Sequence, residues 1–303
     1  MHGTLLKALE TLKGEYARLR RGKESLLRMI EETELPESVY NSNAIENSML
    51  SLDDTEKILL HQEIPGHRSK REVFEAENLA AVTTYLTQKA AKQTPLTEAL
   101  LCLVHGTLLR NIHDDCAGSY RKKGEHVRVG THIAPAPEEI SSLMQSLMHA
   151  FDQPDTHILT RIVHFHLEFE RVHPFLDGNG RTGRAFLNFQ LQSSGYPPVI
   201  VPNKGKHSDY YPCFVDYEYD GSTKPFERLL AALLKESFHK RIAYLRGDDI
   251  VTLSAIRKEC PHHSPQSLAT LAKKQSLPAF RERGRWKVGR KGFACWEEGH
   301  EHR

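Results

Sequence analysis

Apolar residues recur at steps of three and four along most of this chain. Leu5, Leu9, Leu12, Tyr16 and Leu19 open the pattern, which predicts one or two amphipathic helices over residues 4–33. Further helices are predicted over 53–61, 71–91, 95–110, 137–151, 156–172, 181–193, 209–217 and 223–245. A Pro-Glu-Ser step at 36–38 predicts a break. Thr94-Pro95 places a proline in a first turn, and Pro137-Glu138-Glu139 adds acids that suit a helix N-terminus.

Two stretches leave this period. In SYRKKGEHVRVGTHIAPAPEEI (119–140), Val127, Val129 and Ile133 alternate with polar residues, and Gly124 and Gly130 supply turns. A short hairpin over 119–135 is one reading and a plain connecting loop the other. Near the C-terminus, LSAIRKECP and SPQSLATLAKKQSLP predict two short helices, and RGRWKVGRKGFACWEE a basic two-stranded wing.

Composition narrows the class. The chain has 303 residues, 39% hydrophobic and 26% charged, which suits one or two soluble globular domains. No apolar run reaches the length of a membrane span, and no membrane partner is expected. The net charge of +2 is too small to argue for nucleic acid from the whole-chain balance. Five scattered cysteines form no CxxC pair, so a cytoplasmic setting is expected.

The densest chemistry is HPFLDGNGRTGR, residues 173–184. It follows HILTRIVHFHLEFERV, where Ile158, Ile162, Phe165, Phe169 and Val172 make a core stripe. His166, Glu170 and His173 share the neighbouring face. A helix-borne zinc pair of His166 and Glu170 is disfavoured, because no HExxH is present; His166 reads as support for the loop. Gly178, Asn179 and Gly180 tolerate positive φ and can turn backbone N–H groups into one concavity, to which the next helix N-terminus adds its own. Arg181 and Arg184 can reach the same anion from one helix face. Asp177 suits Mg²⁺ held against phosphate oxygens. His173, with an ordinary pKa of roughly 6.5, can take a hydroxyl proton near neutrality. A polar helix junction with a glycine cap would explain Gly178 and Asn179 and leave His173, Asp177 and both arginines unexplained.

HPFLDGNGRTGR resembles the Fic signature H-x-F-x-[DE]-G-N-G-R-x-x-R at every specified position, and the resemblance extends over about residues 38–245. It implies a mostly α fold, a Fic-type helical core with a β-hairpin flap. It also implies transfer of AMP from ATP to a Ser, Thr or Tyr hydroxyl of a target protein, with release of pyrophosphate. His173 would be the base, Phe175 the anchor of the loop and Asp177 the Mg²⁺ ligand. ATP would be held by Gly178, Asn179, Gly180, Arg181, Thr182, Gly183 and Arg184, and by Val129, Gly130, Thr131 and His132 of the flap. The flap 119–135 would dock the target segment by strand addition. HSDYYPCF (207–214) resembles an element near the adenine, with Tyr210 the contact or else a packing residue. Glu218 stands where relatives often have asparagine, which leaves the nucleotide preference open.

SNAIEN (42–47) resembles the family's inhibitory motif [ST]-x-x-x-E-[GN]. Ser42, Glu46 and Asn47 fit it, and Glu46 would pair with Arg184 and withhold it from the γ-phosphate. In some relatives the same glutamate supports removal of AMP. The ordinary alternative makes Ser42 a helix N-cap and Glu46 a first-turn acid. Three segments are expected: an N-terminal helical region, 1–110; a Fic core, 111–245; and a winged helix-turn-helix-like module, 248–303. That module could contact DNA through Arg283, Arg285, Lys287, Arg290 and Lys291, or serve packing, dimerisation or docking. A homodimer is left open. The competing function is a DNA-binding regulator that uses the Fic scaffold as a nucleotide sensor.

Overall fold

The computed structural model describes residues 3–66, 68–260 and 263–301, with no account of the side chains of 300 and 301. Met1, His2, His67, Pro261, His262, His302 and Arg303, which the expected N-terminal region and C-terminal module include, lie outside the described residues. The fold is mostly helical with two small antiparallel sheets. Among the described residues no helix is long and apolar enough to cross a membrane. By contact the chain forms two units, residues 34–229 and residues 1–33 with 230–303, so the grouping is not sequential.

Helices α1 (Gly3–Leu19) and α2 (Glu24–Ile45) come first. The predicted break at Pro36 does not occur: the proline lies inside α2. Proline costs a helix one hydrogen bond, and burial on either side outweighs it here. Leu27 and Ile30 before it and Val39 and Ile45 after it are buried, and the Asn41 side-chain amide donates to the Glu37 carbonyl at 2.8 Å. Next come α3 (Leu52–Glu56) and α4 (Lys70–Ala91), the latter begun by a reciprocal Ser69–Glu72 cap. Helix α5 (Glu98–Leu109) is capped by Thr97 rather than started at Pro95. The acceptor Oγ1 of Thr97 meets the Leu100 N–H at 3.1 Å, a bond proline cannot offer.

The flap forms as the alternating residues predict, though each strand has two residues. Strands β1 (Arg128–Val129) and β2 (His132–Ile133) pair antiparallel through a turn in which Gly130 has φ 60°. Helix α6 (Ile140–Asp152) follows the Pro137 turn. Helices α7 (Ile158–Val172) and α8 (Asn179–Ser193) flank the glycine-rich loop, and α9 (Tyr211–Asp220) and α10 (Lys224–Leu245) follow. Phe165, Phe169 and Val172 of α7 pack with Phe186 and Phe189 of α8, and with Val82 and Leu101 of α4 and α5, in one core. That core holds both sides of the loop rigid.

In the last part of the chain a small core of Leu253, Ile256, Leu268, Val288 and Phe293 forms by itself. Strands β3 (Ile250–Thr252), β4 (Ala279–Glu282) and β5 (Arg285–Gly289) order as β3-β5-β4, with α11 (Leu253–Glu259) and α12 (Pro265–Lys273) between β3 and β4. The two-residue turn at Arg283-Gly284 has positive φ at both positions, the geometry that suits a twisted hairpin. The expected wing is shorter than predicted: it ends at Gly289, and the remaining residues form α13 (Arg290–Glu301). The Asp248 carboxylate accepts the N–H groups of Lys291 and Gly292 and so starts that helix. Of the five expected phosphate contacts, Lys287 pairs with Glu282, and Arg290 with Asp249 and Glu259.

Candidate active site

His173 ends α7. It takes the left-handed conformation, φ 49°, and its N–H donates to the Phe169 carbonyl at 2.9 Å. The helix is therefore stopped by the histidine, not by a glycine. Phe175 then drops into the core with no exposed surface and stacks on the His105 ring at 3.6 Å between centroids. Asn179 closes the loop on itself: its Oδ1 accepts the Phe175 N–H at 2.9 Å, and its Nδ2 donates to the Phe175 carbonyl at 2.8 Å. Both groups are buried, so Asn179→Ala strands two polar partners, each costing on the order of 1–3 kcal/mol. The variant is expected to lose about 2 kcal/mol of stability or more in a denaturant titration.

Gly178 begins α8 at φ 76°, and a Cβ there would meet Leu109 and His105. The first-turn amides after it have no intrahelical carbonyl and face outward with the positive end of the helix.

Three residues the sequence reading passed over hold this loop. His105 accepts the Gly118 N–H at Nδ1, 2.9 Å, so its Nε2 carries the proton donated to the Asp177 carbonyl at 2.9 Å. Burial pushes its pKa down to about 4, which keeps it neutral. Arg121, 3% exposed, donates to the carbonyls of His173, Glu125, Pro135 and Val172, tying the flap base to the loop. Arg71 of α4 reaches Asp177 at 3.3 Å. Each is a lone polar residue far away in sequence, and no local pattern marks it.

The two motif arginines diverge. Arg181 is buried and points at Asp177 (3.3 Å) and Glu75 (3.6 Å). Arg184 points the other way. Its Nε donates to Ser42 Oγ at 2.9 Å, and its Nη2 to the Ser42 carbonyl at 2.9 Å and to Glu46 Oε1 at 2.7 Å. The expectation that both address one anion therefore does not describe this state, because carboxylates already hold each one. Burial works against the Arg184 charge, but the Glu46 carboxylate outweighs it and raises the pKa.

Ser42 and Glu46 also leave the helix-start reading without support. Ser42 lies in the last turn of α2, and Glu46 follows its end. Asn47 takes φ 67°, and the Ser48 N–H reaches the Asn43 carbonyl at 3.0 Å, which terminates the helix. The last carbonyls are capped by Lys206, on Ala44 and Ile45, and by the Tyr211 hydroxyl, on Ile45. The Glu46 carboxylate occupies the place a Cβ on Gly180 would take.

A cavity of about 580 Å³ opens over this contact. Glu46, Asn47, His173, Gly180 and Arg184 line it together with Val129, Gly130, Thr131 and His132 of the flap, and Tyr210, Phe214 and Glu218. His132 bridges the far wall, 2.7 Å from Glu218 Oε1 and 2.7 Å from the Arg171 carbonyl. Tyr210 is in the wall and also in the packing: it is buried, with its hydroxyl 2.9 Å from His166 Nε2. Burial pushes His166 down to about 3, and it stacks on Phe226. Thr182 is fully buried and Gly183 is covered by Glu170, so neither faces the cavity.

His173 departs from its expected titration. Burial, opposed by the Glu170 carbonyl 3.3 Å from Nδ1, pushes it down to about 4. The imidazole is thus neutral, and a base, over the whole range above that value. An NMR titration of the ring is expected to show its midpoint near pH 4, not near 6.5.

The surroundings of Asp177 bear on its fit as a Mg²⁺ ligand. Its Oδ1 accepts the Gly178 N–H at 2.6 Å, while Oδ2 has Arg71 at 3.3 Å and His113 at 3.7 Å. That outer oxygen fits a magnesium ion completed by phosphate oxygens and water. Among the described residues no group of three or more His, Cys, Asp or Glu side chains could form an all-protein cage.

Comparison with known proteins agrees with this geometry. Residues 95–191 match the sequence model of the Fic/DOC family. The chain is 29% identical over 196 residues to the protein adenylyltransferase Fic of Drosophila grimshawi, covering 64% of this chain and 40% of that protein. It thus spans about two fifths of the length of the curated relatives it matches. A Fic-domain-containing signaling protein of Bacteroides thetaiotaomicron shares the fold, with TM-score 0.71 and 24% identity over 80% of this chain and 97% of that one. Fic-1 of C. elegans aligns with TM-score 0.69 and 27% identity over 79% and 71%. The helical core, the loop at 173–184 and these likenesses agree: residues 95–191 match the Fic/DOC family model, and the chain shares the fold of Fic-domain proteins.

Proposed function

We propose that this chain transfers AMP from ATP to a hydroxyl side chain of a target protein and that Glu46 restrains it. The observation that carries the reading is the cavity in which a neutral His173, the Gly180 end of α8 and Arg184 meet under the flap. The names of the curated relatives support the same reaction.

The chain's own groups take the proton and share the charge. With Nδ1 carrying the proton toward the Glu170 carbonyl, His173 Nε2 keeps its lone pair. It takes the proton of the target hydroxyl as that oxygen attacks the α-phosphorus. The bond from the α-phosphorus to the bridging oxygen breaks, and pyrophosphate leaves. The first-turn amides of α8 and Arg184 stabilise the phosphate oxygens as charge shifts onto them. Magnesium, held by Asp177, would neutralise part of the phosphate charge. The exposed Val129 and Ile133 of the flap offer a two-residue ladder and apolar contacts to an extended target segment.

In the state described, the brake is set. Arg184 is bonded to Ser42 and Glu46, and the Glu46 carboxylate covers Gly180, where a phosphate would approach. The test is incorporation of α-labelled ATP with Mg²⁺ into proteins of a host lysate. Label on protein that depends on His173 is expected. ATP binding without label from any variant would overturn the reading and favour a nucleotide sensor.

A further inference from the structure

Two carboxyl groups rest on one face of α8. Gly180 and Gly183 are three residues apart and share that face. Glu46 Oε1 fills the Cβ position of Gly180, and Glu170 Oε1 stands 2.5 Å from the Cβ position of Gly183. Arg184 follows directly, its guanidinium 3.0 Å from the same Gly180 position. Glu46 has its partner in Arg184. The buried Glu170 Oε1 has no hydrogen-bond partner. Glu170 also lines the cavity, so it is neither surface decoration nor sealed core. Around it stand Arg184 from α8, Glu46 beyond α2, and Tyr210 and Tyr211 at the start of α9; His166 and His173 lie along its own helix.

A carboxyl with one buried, unpartnered oxygen next to a guanidinium that already has a partner needs an explanation. Arg184 has a side chain only 7% exposed, so a state without Glu46 would leave a buried cation uncompensated. We propose that Glu170 is the positioning residue for Arg184 in the unbraked protein: when Glu46 leaves Gly180, the Glu170 carboxyl ionises and becomes the counter-charge that keeps Arg184 aimed at the phosphates of ATP. The electrostatics agree. Burial pushes Glu170 up to about 8, with Arg184 opposing and Glu46 adding to the rise, so it holds a proton while the brake is set. Removing Glu46 removes a like charge, the carboxyl ionises at lower pH, and the proton leaves through the cavity to solvent. Gly183 has a role in this arrangement, since any side chain there would displace the acid.

The inference rests on the AMP-transfer reading only for the identity of the ligand, so its test is binding. ATP affinity of the full chain is measured by calorimetry for Glu46→Gly and for Glu46→Gly with Glu170→Gln, at pH 6 and pH 8. The glutamine is expected to weaken ATP by roughly 10-fold or more at pH 8, where a charge-assisted bond is lost. The gap should shrink toward pH 6 as Glu170 in the first variant takes up its proton. In turnover assays KM for ATP should rise with kcat little changed, which a merely structural defect would not produce. Gly183→Ala, which pushes Glu170 aside, should copy the effect and decides the matter if the glutamine variant fails to fold. Equal affinities with the same pH response in folded variants would overturn the proposal. Failure of the transfer reading would look different: ATP bound by Glu46→Gly, and no label on protein.

Discussion

With His173 replaced by alanine in a Glu46→Gly background, transfer of labelled AMP to protein is expected to fall by about 10²- to 10⁴-fold. ATP affinity should stay nearly unchanged. The imidazole is the group placed to take the hydroxyl proton, and it is neutral across the working range because burial holds its pKa near 4. The cavity proposed for the nucleotide is also lined by Gly180, Arg184 and the flap, none of which depends on the histidine ring. Its backbone is a separate matter: φ 49° at residue 173 ends α7, and alanine accepts that conformation less readily. A melting curve should accompany the assay. A parallel loss of ATP binding would mean that the loop had collapsed, and it would remove His173 from the base role.

Glu46→Gly alone is expected to raise label incorporation over the unmodified chain by about 10- to 100-fold, the value of a charge-assisted bond of roughly 1.5–3 kcal/mol. Two effects add. The 2.7 Å bond to Arg184 Nη2 is lost, and the carboxylate no longer covers Gly180. The Ser42 bonds to Arg184 remain, so the guanidinium is loosened on one side rather than set adrift. Glycine also suits the end of a helix, so α2 should keep its terminus. Equal labelling by the two proteins would refute the brake.

The sequence announced the loop better than its setting. HPFLDGNGRTGR is contiguous, and each residue's chemistry points the same way, so its spacing alone suggested an anion cradle beside a base. The helices were legible from their stripes because Phe165, Phe169 and Val172 repeat at helical steps. Pro36 misled because a local rule was overruled by burial of Val39 and Ile45. Arg181 misled for a similar reason: its partner, Glu75, comes from a helix a hundred residues earlier. Arg121 was invisible because its partners are backbone carbonyls, which every residue has. The pKa of His173 depends on how much protein covers it, a quantity absent from any list of residues.

The glycine at 180 ties two properties to one address. A side chain there would evict the Glu46 carboxylate, and it would also crowd the first-turn amides proposed to meet a phosphate. Random substitution at this position therefore has no clean route to a permanently active protein. Under the proposed restraint, escape is expected from residues 42–47, where a single change removes the Glu46–Arg184 bond and leaves the loop whole. Hyperactive alleles arising spontaneously in a population should cluster in that short segment, and the loop itself should yield only losses.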